Sequence, residues 1–311
     1  MKKNKIYLIL QGRIGNQLFQ YALARKIQKE KGNNSKIVID DSRVLKLGWE
    51  NSLKHYNLPN VEYCHKDIAK KNIFSPKIIL REVYKLLSKK MDYMEKYQFE
   101  KSFNKRLNKH GAFICENGYL DYNINYNKSN FLEGYFQSEK YFADIKDDIK
   151  SLFAGSQFSD LEKYPNLKKI RSRNSVCISI KIEHNVGSSL YSVCDVNYWK
   201  KAINYIIKNV DDPLFFICSD NVDYVLNNLI DASQYDCIIQ DKNFPVHVSL
   251  AAMSECKHFI IGNTTFGWWA QYLSNNPEKI VVAPSKWMLV DMPIDIYQDG
   301  WKLIDVEGKK Q

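Results

Sequence analysis

The clearest pattern of hydrophobic and polar positions lies in residues 5–27. Residues 5–11 form a short apolar run of β-branched and aromatic side chains that ends at Gly12, as in a buried strand of a parallel sheet. From Asn16 onward apolar side chains recur at helical spacing, and Asn16 is a residue type that caps helix N-termini. The pattern predicts a strand, a tight turn between Gly12 and Gly15, and a helix.

Such a turn presents backbone N–H groups and the positive end of a helix dipole at the carboxyl edge of a sheet, where anionic ligands bind. The two glycines alone are equally consistent with a tight turn that binds nothing. Their spacing matches neither G-x-G-x-x-G nor G-x-x-x-x-G-K-[ST]. A dinucleotide site or a P-loop triphosphate site is therefore not indicated.

The rest of the first half continues the alternation of strands and helices. Residues 35–40 predict a second strand that completes a βαβ unit, and residues 111–116 and 130–135 predict two more strands. Ser138 is placed to cap a helix beginning near Glu139. These elements predict a first parallel sheet.

Residues 77–94 predict an amphipathic helix, with lysines opposite its apolar face. Most such faces pack on the protein's own core, and a role at a membrane surface is the alternative. The apolar face is predicted to contain Ile78, Ile79, Val83, Leu86 and Leu87.

The second half repeats the alternation more clearly after a polar, proline-interrupted stretch at 156–173, the candidate linker. Trp268 and Trp269 are expected to pack in the core; a platform on which a sugar ring stacks is the alternative. The fold class is α/β, with two Rossmann-like domains, 1–160 and 161–311, whose parallel sheets face each other across a cleft. Strands are predicted at 175–182, 213–218, 236–240, 258–261 and 279–283, the last strand, and helices at 197–208, 222–229, 246–254 and from Phe266.

Polar residues fall where strands of the second half end. Ser219 and Asp220 close one strand, and Asn263, Thr264 and Thr265 close another just before an aromatic-rich helix. Hydroxyl groups and helix-terminal amides suit a phosphate site that has no P-loop lysine. Simple N-capping by the two threonines is the alternative.

Composition sets the outer bounds. The 311 residues allow two domains, and 45% hydrophobic with 26% charged residues indicates a soluble globular protein. The net charge of +10 suits an anionic substrate, an anionic membrane surface or nucleic acid. Because the lysines are scattered through the predicted helix faces, a solvated surface is the simpler interpretation and no nucleic acid partner is expected.

The cysteines and the chain start indicate the cellular setting. The seven cysteines include no C-x-x-C pair, and an odd number argues against a disulfide framework, which favours a reducing compartment. The first apolar run is too short for a signal peptide, and no stretch approaches a membrane span. We expect a cytoplasmic protein that touches the membrane at most peripherally. No H-x-H or D-x-D element favours a metal.

Five stretches together resemble a known family. Residues 12–22, GRIGNQLFQYA, resemble the GGLGNQMFQYA signature of glycosyltransferase family 11, the α-1,2-fucosyltransferases. The later stretches agree in order and spacing, so the similarity covers nearly the whole chain. They are GYFQSEKYF from Gly134, FFICSDN from Phe215, NTTFGWWAQYL from Asn263 and KIVVAPSKW from Lys279.

The resemblance implies a GT-B enzyme that needs no metal. It would invert the anomeric centre of GDP-L-fucose while moving fucose to the 2-hydroxyl of a galactose residue. The second domain would hold the nucleotide sugar and the first most of the acceptor. A bacterial cytoplasmic enzyme that builds O-antigen, the outer part of lipopolysaccharide, or capsule repeat units on a lipid carrier is expected, so the acceptor would be a lipid-linked oligosaccharide.

The resemblance also implies roles for individual residues. The glycine turn would reach the donor, the threonines would bind its phosphates, and Asp220 would lie near the nucleoside. The expected donor-binding set is Gly15, Asn16, Gln17, Ser219, Asp220, Asn263, Thr264, Thr265 and Phe266.

Two segments depart from the family pattern. Where the family has HxRRxDY, this chain has SIKIEHN from Ser179, so Lys181 replaces one arginine and Ile182 the next. Lysine keeps the charge of arginine without its bidentate fork. Ser249 stands where the family has an acidic residue. Either the donor is held differently, or it is not GDP-fucose, or activity is weakened.

The reaction needs positive charge for the leaving diphosphate and a base for the acceptor proton. Arg13 and Lys181 are the candidates for the charge. Glu183 and His184 are the candidates for the base, and Glu139 and Asp40 are weaker ones. The sequence does not choose among these four.

Overall fold

The computed structural model describes residues 5–32, 34–71 and 74–306. It divides into two compact units. The N-terminal unit extends to Leu152 and also contains Asp291–Ile296, whereas the C-terminal unit comprises Phe153–Val290 and the chain from Tyr297. The α/β class with a parallel sheet in each half is confirmed. The facing of the sheets across a cleft stays a prediction.

The N-terminal unit contains a five-stranded sheet in the order β3-β2-β1-β5-β4, with every pairing parallel. Buried Ile, Leu and Phe side chains of the central strands fill both of its faces. The strands are β1 Lys5–Ile9, β2 Lys36–Asp40, β3 Val61–Cys64, β4 Ala112–Cys115 and β5 Asn130–Gly134. The helices are α1 Ile14–Glu30, α2 Ser42–Lys46, α3 Ile68–Lys71, α4 Pro76–Ser88, α5 Tyr93–Lys109 and α6 Lys146–Phe153, whose last residue belongs to the C-terminal unit.

The C-terminal unit contains a six-stranded parallel sheet in the order β11-β10-β9-β6-β7-β8. The strands are β6 Asn174–Ile180, β7 Pro213–Ser219, β8 Cys237–Ile239, β9 His258–Ile261, β10 Val281–Pro284 and β11 Lys302–Ile304. The helices are α7 Leu167–Ser172, α8 Val196–Asn209, α9 Val222–Asn228, α10 Val246–Ser254 and α11 Thr265–Leu273. Trp268 and Trp269 are fully buried, so their expected place in the core is confirmed.

Several sequence predictions were wrong about element bounds. The helix predicted at 77–94 ends at Ser88, and α5 begins anew behind a capping box formed by Asp92 and Glu95. The candidate linker is packed structure, because it contains α7 and buries Leu161 and Ile170. β3 and α5 were missed, and β10 is followed by a further strand, β11. Ser138 does cap a short 3₁₀ turn, Glu139–Tyr141.

The apolar face predicted for the 77–94 helix is mostly exposed. Ile78 is buried, but Ile79, Val83, Leu86 and Leu87 face solvent, and the helix instead buries Arg81, Tyr84 and Ser88. The expectation that the apolar face packs on the protein's own core was therefore wrong. The physical reason is a buried ion pair that turns the polar side of the helix inward.

That ion pair joins α4 to the carboxyl end of β5. The buried Glu133 carboxylate accepts from Arg81 Nη2 at 3.2 Å and from Nε, and Lys85 Nζ lies 3.3 Å away. Burial alone raises the pKa of Glu133, but the hydrogen bonds and charges of Arg81 and Arg43 outweigh it and lower the pKa to about 2. Glu133 therefore stays ionised at neutral pH and holds α4.

We predict a pH-dependent stability contribution from Glu133. A carboxylate whose folded pKa lies below its unfolded value stabilises the protein above the unfolded pKa, near 4.3, and this contribution is lost as pH falls toward 2. Urea unfolding should show Glu133→Gln less stable than wild type by roughly 3 kcal/mol at pH 7, with the difference narrowing below pH 4.

The exposed pair between Glu162 and Arg171 offers a control. Glu162→Gln should change the unfolding midpoint little at any pH, because exposed pairs contribute little. A Glu133→Gln deficit that stays constant from pH 7 to pH 3 would contradict the assignment.

Candidate active site: two sheet edges rich in polar side chains

The glycine turn of the N-terminal unit is held by two buried glutamines. Gln20 pairs with both backbone groups of Gln11: Gln11 N donates to Oε1 and Nε2 donates to Gln11 O, each at 3.0 Å. Gln17 Nε2 donates to Gly12 O at 2.9 Å and to Glu50 O at 2.8 Å. All of this lies at the carboxyl end of β1, so the signature glutamines fix the path of the turn.

Gly12 is required by conformation and by space. Its φ is +68°, the left-handed region, and a Cβ there would lie 2.3 Å from Asn16 Nδ2. α1 begins at Ile14, with Arg13 as its N-cap residue. The expectation that Asn16 caps the helix was wrong: Asn16 lies inside the first turn, and its Oδ1 accepts from Gln137 Nε2 at 2.9 Å.

The Asn16–Gln137 bond joins two of the five stretches that resemble the family. Gln137 belongs to the stretch that follows β5, and Ser138 and Lys140 beside it bind Asp295 at 2.8 Å each. β5 is paired directly with β1, so the two stretches leave the sheet side by side. The helix start, the post-β5 segment and residues 291–296 form one hydrogen-bonded edge.

Arg13 is the exposed member of the turn, and its guanidinium carbon lies 5.8 Å from the ring centroid of Trp49. Gln17 is fully buried, and Ser52 N donates to its Oε1 at 2.8 Å. The side-chain amide of Gln17 thus has three protein partners, which gives it a bracing role. Arg13 is better placed than Gln17 to meet a ligand.

Sequence reasoning missed a dyad on the same edge. His65, directly after β3, places Nδ1 2.7 Å from the fully buried carboxylate of Asp41, directly after β2. Asn51 Nδ2 also donates to Asp41 at 2.9 Å. Asn51 lies between Glu50 and Ser52, whose backbone groups bind Gln17. The one available signal was the Asp40–Asp41 pair at the end of a predicted strand; His65 could not be placed because β3 was missed.

The carboxyl edge of the C-terminal sheet carries a second polar cluster. Ile180 and Ser219 are register partners in β6 and β7, so Lys181 and Asp220 leave the sheet next to each other. Asp220 accepts from Lys181 Nζ and from the backbone N–H of Ile182 at 2.8 Å. Lys181 Nζ also lies 3.1 Å from Glu183 Oε2. The charge of Lys181 is thus shared between two carboxylates.

The other residues of this segment have separate environments. Ile182 is buried in the hydrophobic core of the unit, which explains an apolar side chain there. His184 has a φ of +67° and an exposed ring whose Nε2 lies 3.6 Å from Glu183 Oε1. Ser249 is buried within α10.

The start of α11 combines capping with loop anchoring. Thr264 Oγ1 accepts from Gly267 N at 3.1 Å, so the capping expected as the alternative role of Thr264 is present. Asn263 Nδ2 donates to Tyr191 O and to Trp287 O at 3.1 and 3.0 Å, and is thereby occupied within the protein. Thr265 and Phe266 follow in the first turn and are half-buried.

Ser219, at the end of β7, makes two hydrogen bonds between backbone and side-chain groups. Its N–H donates to Gln240 Oε1 at 3.0 Å, and its Oγ accepts from Asn221 N at 3.1 Å. Gly15 is buried in the first turn of α1.

The structure thus collects Lys181, Glu183, Asp220 and the α11 start at one sheet edge, and Arg13, Gly15, Asn16 and Gln17 at the other, each within its own unit.

The profile of Glycosyl transferase family 11 matches residues 5–305. The chain belongs to glycosyltransferase family 11. It is 26% identical over 320 residues, 95% of this chain and 99% of the relative, to the O-antigen biosynthesis glycosyltransferase WbnK of Escherichia coli. It is 25% identical over 288 residues, 89% of this chain and 90% of the relative, to an alpha-1,2-colitosyltransferase of E. coli.

Solved structures support the fold of this family 11 protein. NodZ alpha-1,6-fucosyltransferase soaked with GDP-fucose aligns with a TM-score of 0.51 at 12% identity, covering 94% of this chain and 100% of that one. Selenomethionine NodZ from Bradyrhizobium gives a TM-score of 0.50 at 13% identity, with the same coverage. At such low identity the likeness concerns the fold, which is of the GT-B type.

The described residues contain neither a cluster of metal ligands nor a membrane-spanning helix. No group of three or more His, Cys, Asp and Glu side chains there is arranged to hold a metal ion. No helix in the same residues is both long and apolar enough to cross a membrane.

We predict that Gly12→Ala destabilises the glycosyltransferase more than Gly32→Ala does. Both glycines have positive φ, but a Cβ at Gly32 meets nothing within 4 Å. The left-handed strain common to both should cost about 1 kcal/mol, and the contact with Asn16 adds to it only at Gly12. Urea unfolding of the two variants measures the difference.

An Asn16→Ala background supplies the coupling test. In that background, the loss of unfolding free energy caused by Gly12→Ala should approach the loss caused by Gly32→Ala, because the Asn16 side-chain amide that the new Cβ contacts is no longer present. Equal losses for the two single glycine variants would contradict the steric argument.

Proposed function

We propose that this family 11 glycosyltransferase moves L-fucose from GDP-L-fucose to the 2-hydroxyl of a galactose residue, with inversion at the anomeric carbon. The observation that carries the proposal is the intact glycine turn, with Arg13 exposed and Gln17 and Gln20 locking its path. A relative named for alpha-1,2 transfer of a closely related sugar supports the linkage.

We place the reaction in O-antigen or capsule repeat-unit synthesis. A relative of nearly the same length is named an O-antigen biosynthesis glycosyltransferase, which supports this setting. The acceptor in the proposal is a galactose-containing oligosaccharide on a lipid carrier, at the cytoplasmic face of the membrane.

The chemistry assigned to the residues is modest. The acceptor oxygen attacks the sugar C1, the bond from C1 to the diphosphate oxygen breaks with its electron pair leaving on GDP, and the acceptor proton passes to a base. Arg13 and Lys181 supply positive charge for the leaving diphosphate, without a metal. Glu183 and His184 are the proposed bases, and the ring of His184 is well exposed to meet an acceptor.

The proposed donor contacts differ in kind. Thr265, Phe266 and Asp220 are proposed to meet the nucleotide directly. Gln17 and Asn263 are better understood as positioning residues, because their side-chain amides already bind the protein backbone. Gly15, Asn16, Ser219 and Thr264 are proposed to act through backbone groups and the geometry of their turns.

A specific observation favours a second candidate. Lys181 replaces one arginine of the family pattern, and the buried Ile182 replaces the next. The alternative is therefore a catalytically weak protein that binds a nucleotide sugar. A less drastic alternative is an active glycosyltransferase that uses a different donor sugar. Colitose, which lacks the 3-hydroxyl of fucose, is the first to test, since a relative is named for it.

The deciding assay offers GDP-fucose or GDP-colitose with Galβ1-3GalNAc or Galβ1-4Glc in EDTA. We expect transfer from GDP-fucose at a kcat/KM at least tenfold above that from GDP-colitose, and full activity without metal. Better transfer from GDP-colitose would reassign the donor. Measurable binding of both donors with no transfer to any acceptor would establish the alternative.

We predict that Lys181→Ala lowers kcat by roughly 10²–10³-fold, the usual cost of removing one preorganised group that stabilises developing negative charge. Lys181→Arg should retain most activity, because the charge is kept. Lys200→Ala, on an exposed face of α8, is the matched control and should leave kcat unchanged. A loss of activity counts toward catalysis only if the thermal unfolding midpoint of Lys181→Ala is unchanged. Wild-type turnover in this variant would remove Lys181 from the mechanism.

A further inference from the structure

Helix α4 is anchored through its polar side. Arg81 is buried against Glu133, and the buried Tyr84 hydroxyl donates to Glu100 Oε1 at 2.6 Å. Lys77 Nζ donates to the backbone oxygen of Ser129 at 2.7 Å. These contacts tie successive turns of the helix to the sheet and to α5, so they fix its rotation.

With its rotation fixed, α4 presents its apolar side to solvent. Leu86 is 75% exposed, and Phe74, just before the helix, is 88% exposed. Ile79, Val83, Leu86 and Leu87 are exposed and stand at positions i, i+4, i+7 and i+8 of the helix, so they form one stripe. We call this stripe the α4 face: Ile79, Val83, Leu86 and Leu87.

The charges beside the α4 face indicate its occupant. Lys89 and Lys90 are exposed and directly follow the helix. The nearby acidic side chains are engaged within the protein, Glu82 with Arg81 and the pair Asp92 and Glu95 in the capping box of α5. A second copy of this chain, which carries a net charge of +10, would bring like charges together. An anionic surface would be attracted to the lysines and would cover the apolar stripe.

The length of the helix decides how it would meet a bilayer. α4 has 13 residues, fewer than the roughly 20 that a membrane span requires. An amphipathic helix of this kind lies in the plane of the interface with its apolar face among the acyl chains.

We propose that the α4 face docks this protein on a bilayer of anionic phospholipid, with Leu86 and Leu87 inserted and Lys89 and Lys90 on the headgroups. The inference does not depend on the proposed donor or acceptor, because it concerns a surface and needs no catalysis. It places the membrane contact on the N-terminal unit.

The test is sedimentation with vesicles of phosphatidylglycerol and phosphatidylethanolamine, compared with vesicles of phosphatidylcholine alone. Wild type should co-sediment with the anionic vesicles and not with the neutral ones. Val83→Gln/Leu86→Gln/Leu87→Gln should reduce the bound fraction about tenfold or more. Ile207→Gln, an exposed apolar position on α8, should not change it.

Charge reversal supplies a second matched pair. Lys89→Glu/Lys90→Glu should abolish binding, whereas Lys200→Glu/Lys201→Glu, the same change at exposed lysines of α8, should reduce it only slightly. Transfer to a soluble acceptor should be unchanged in all these variants, which separates failure of docking from failure of the proposed function.

Three outcomes would overturn the proposal. Wild type could fail to co-sediment with the anionic vesicles. The two lysine pairs could lose binding equally, which would reflect net charge alone. The glutamine variants could dissociate a dimer seen for wild type by analytical ultracentrifugation without affecting vesicle binding, which would assign the α4 face to a second copy.

Discussion

The buried amides of Gln17 and Gln20 are the constraint on which the N-terminal site depends. Each satisfies backbone groups that a tight turn leaves unpaired, and an unpaired buried group is costly. Gln20 holds Gln11 as a neighbouring strand would, and Gln17 joins Gly12 to residues 50 and 52. The turn can therefore leave β1, reverse at a left-handed glycine and start α1 with Arg13 exposed, without a side-chain cap.

Much of this architecture could be predicted from the sequence, because a parallel sheet requires continuous apolar strands separated by helices. β9 and α10 have the predicted bounds. The predictions that failed concern individual elements. β3 is short and only partly buried, so it has no apolar run, and α5 is too polar to show a clear helical pattern. The orientation of α4 depends on a buried ion pair between residues 52 positions apart, which no periodicity contains.

The site was predicted in part for the same reason. Polar residues after strands must gather at one edge of a parallel sheet, and Lys181, Asp220 and the α11 start do so. Whether such a residue binds a ligand or the protein's own backbone depends on contacts made in three dimensions. The side-chain amides of Gln17 and Asn263 bind the protein's own backbone. The dyad of Asp41 and His65 was missed because His65 follows β3, a strand that sequence reasoning did not find.

The central proposal is that this family 11 protein binds the diphosphate of a nucleotide sugar through Lys181, in spite of its departures from the family pattern. A crystal structure with GDP-fucose bound tests this directly. The account predicts that Lys181 Nζ leaves Asp220 and lies within hydrogen-bonding distance of a phosphate oxygen. A well-ordered diphosphate bound elsewhere, with Lys181 still paired to Asp220 and Glu183, would contradict it.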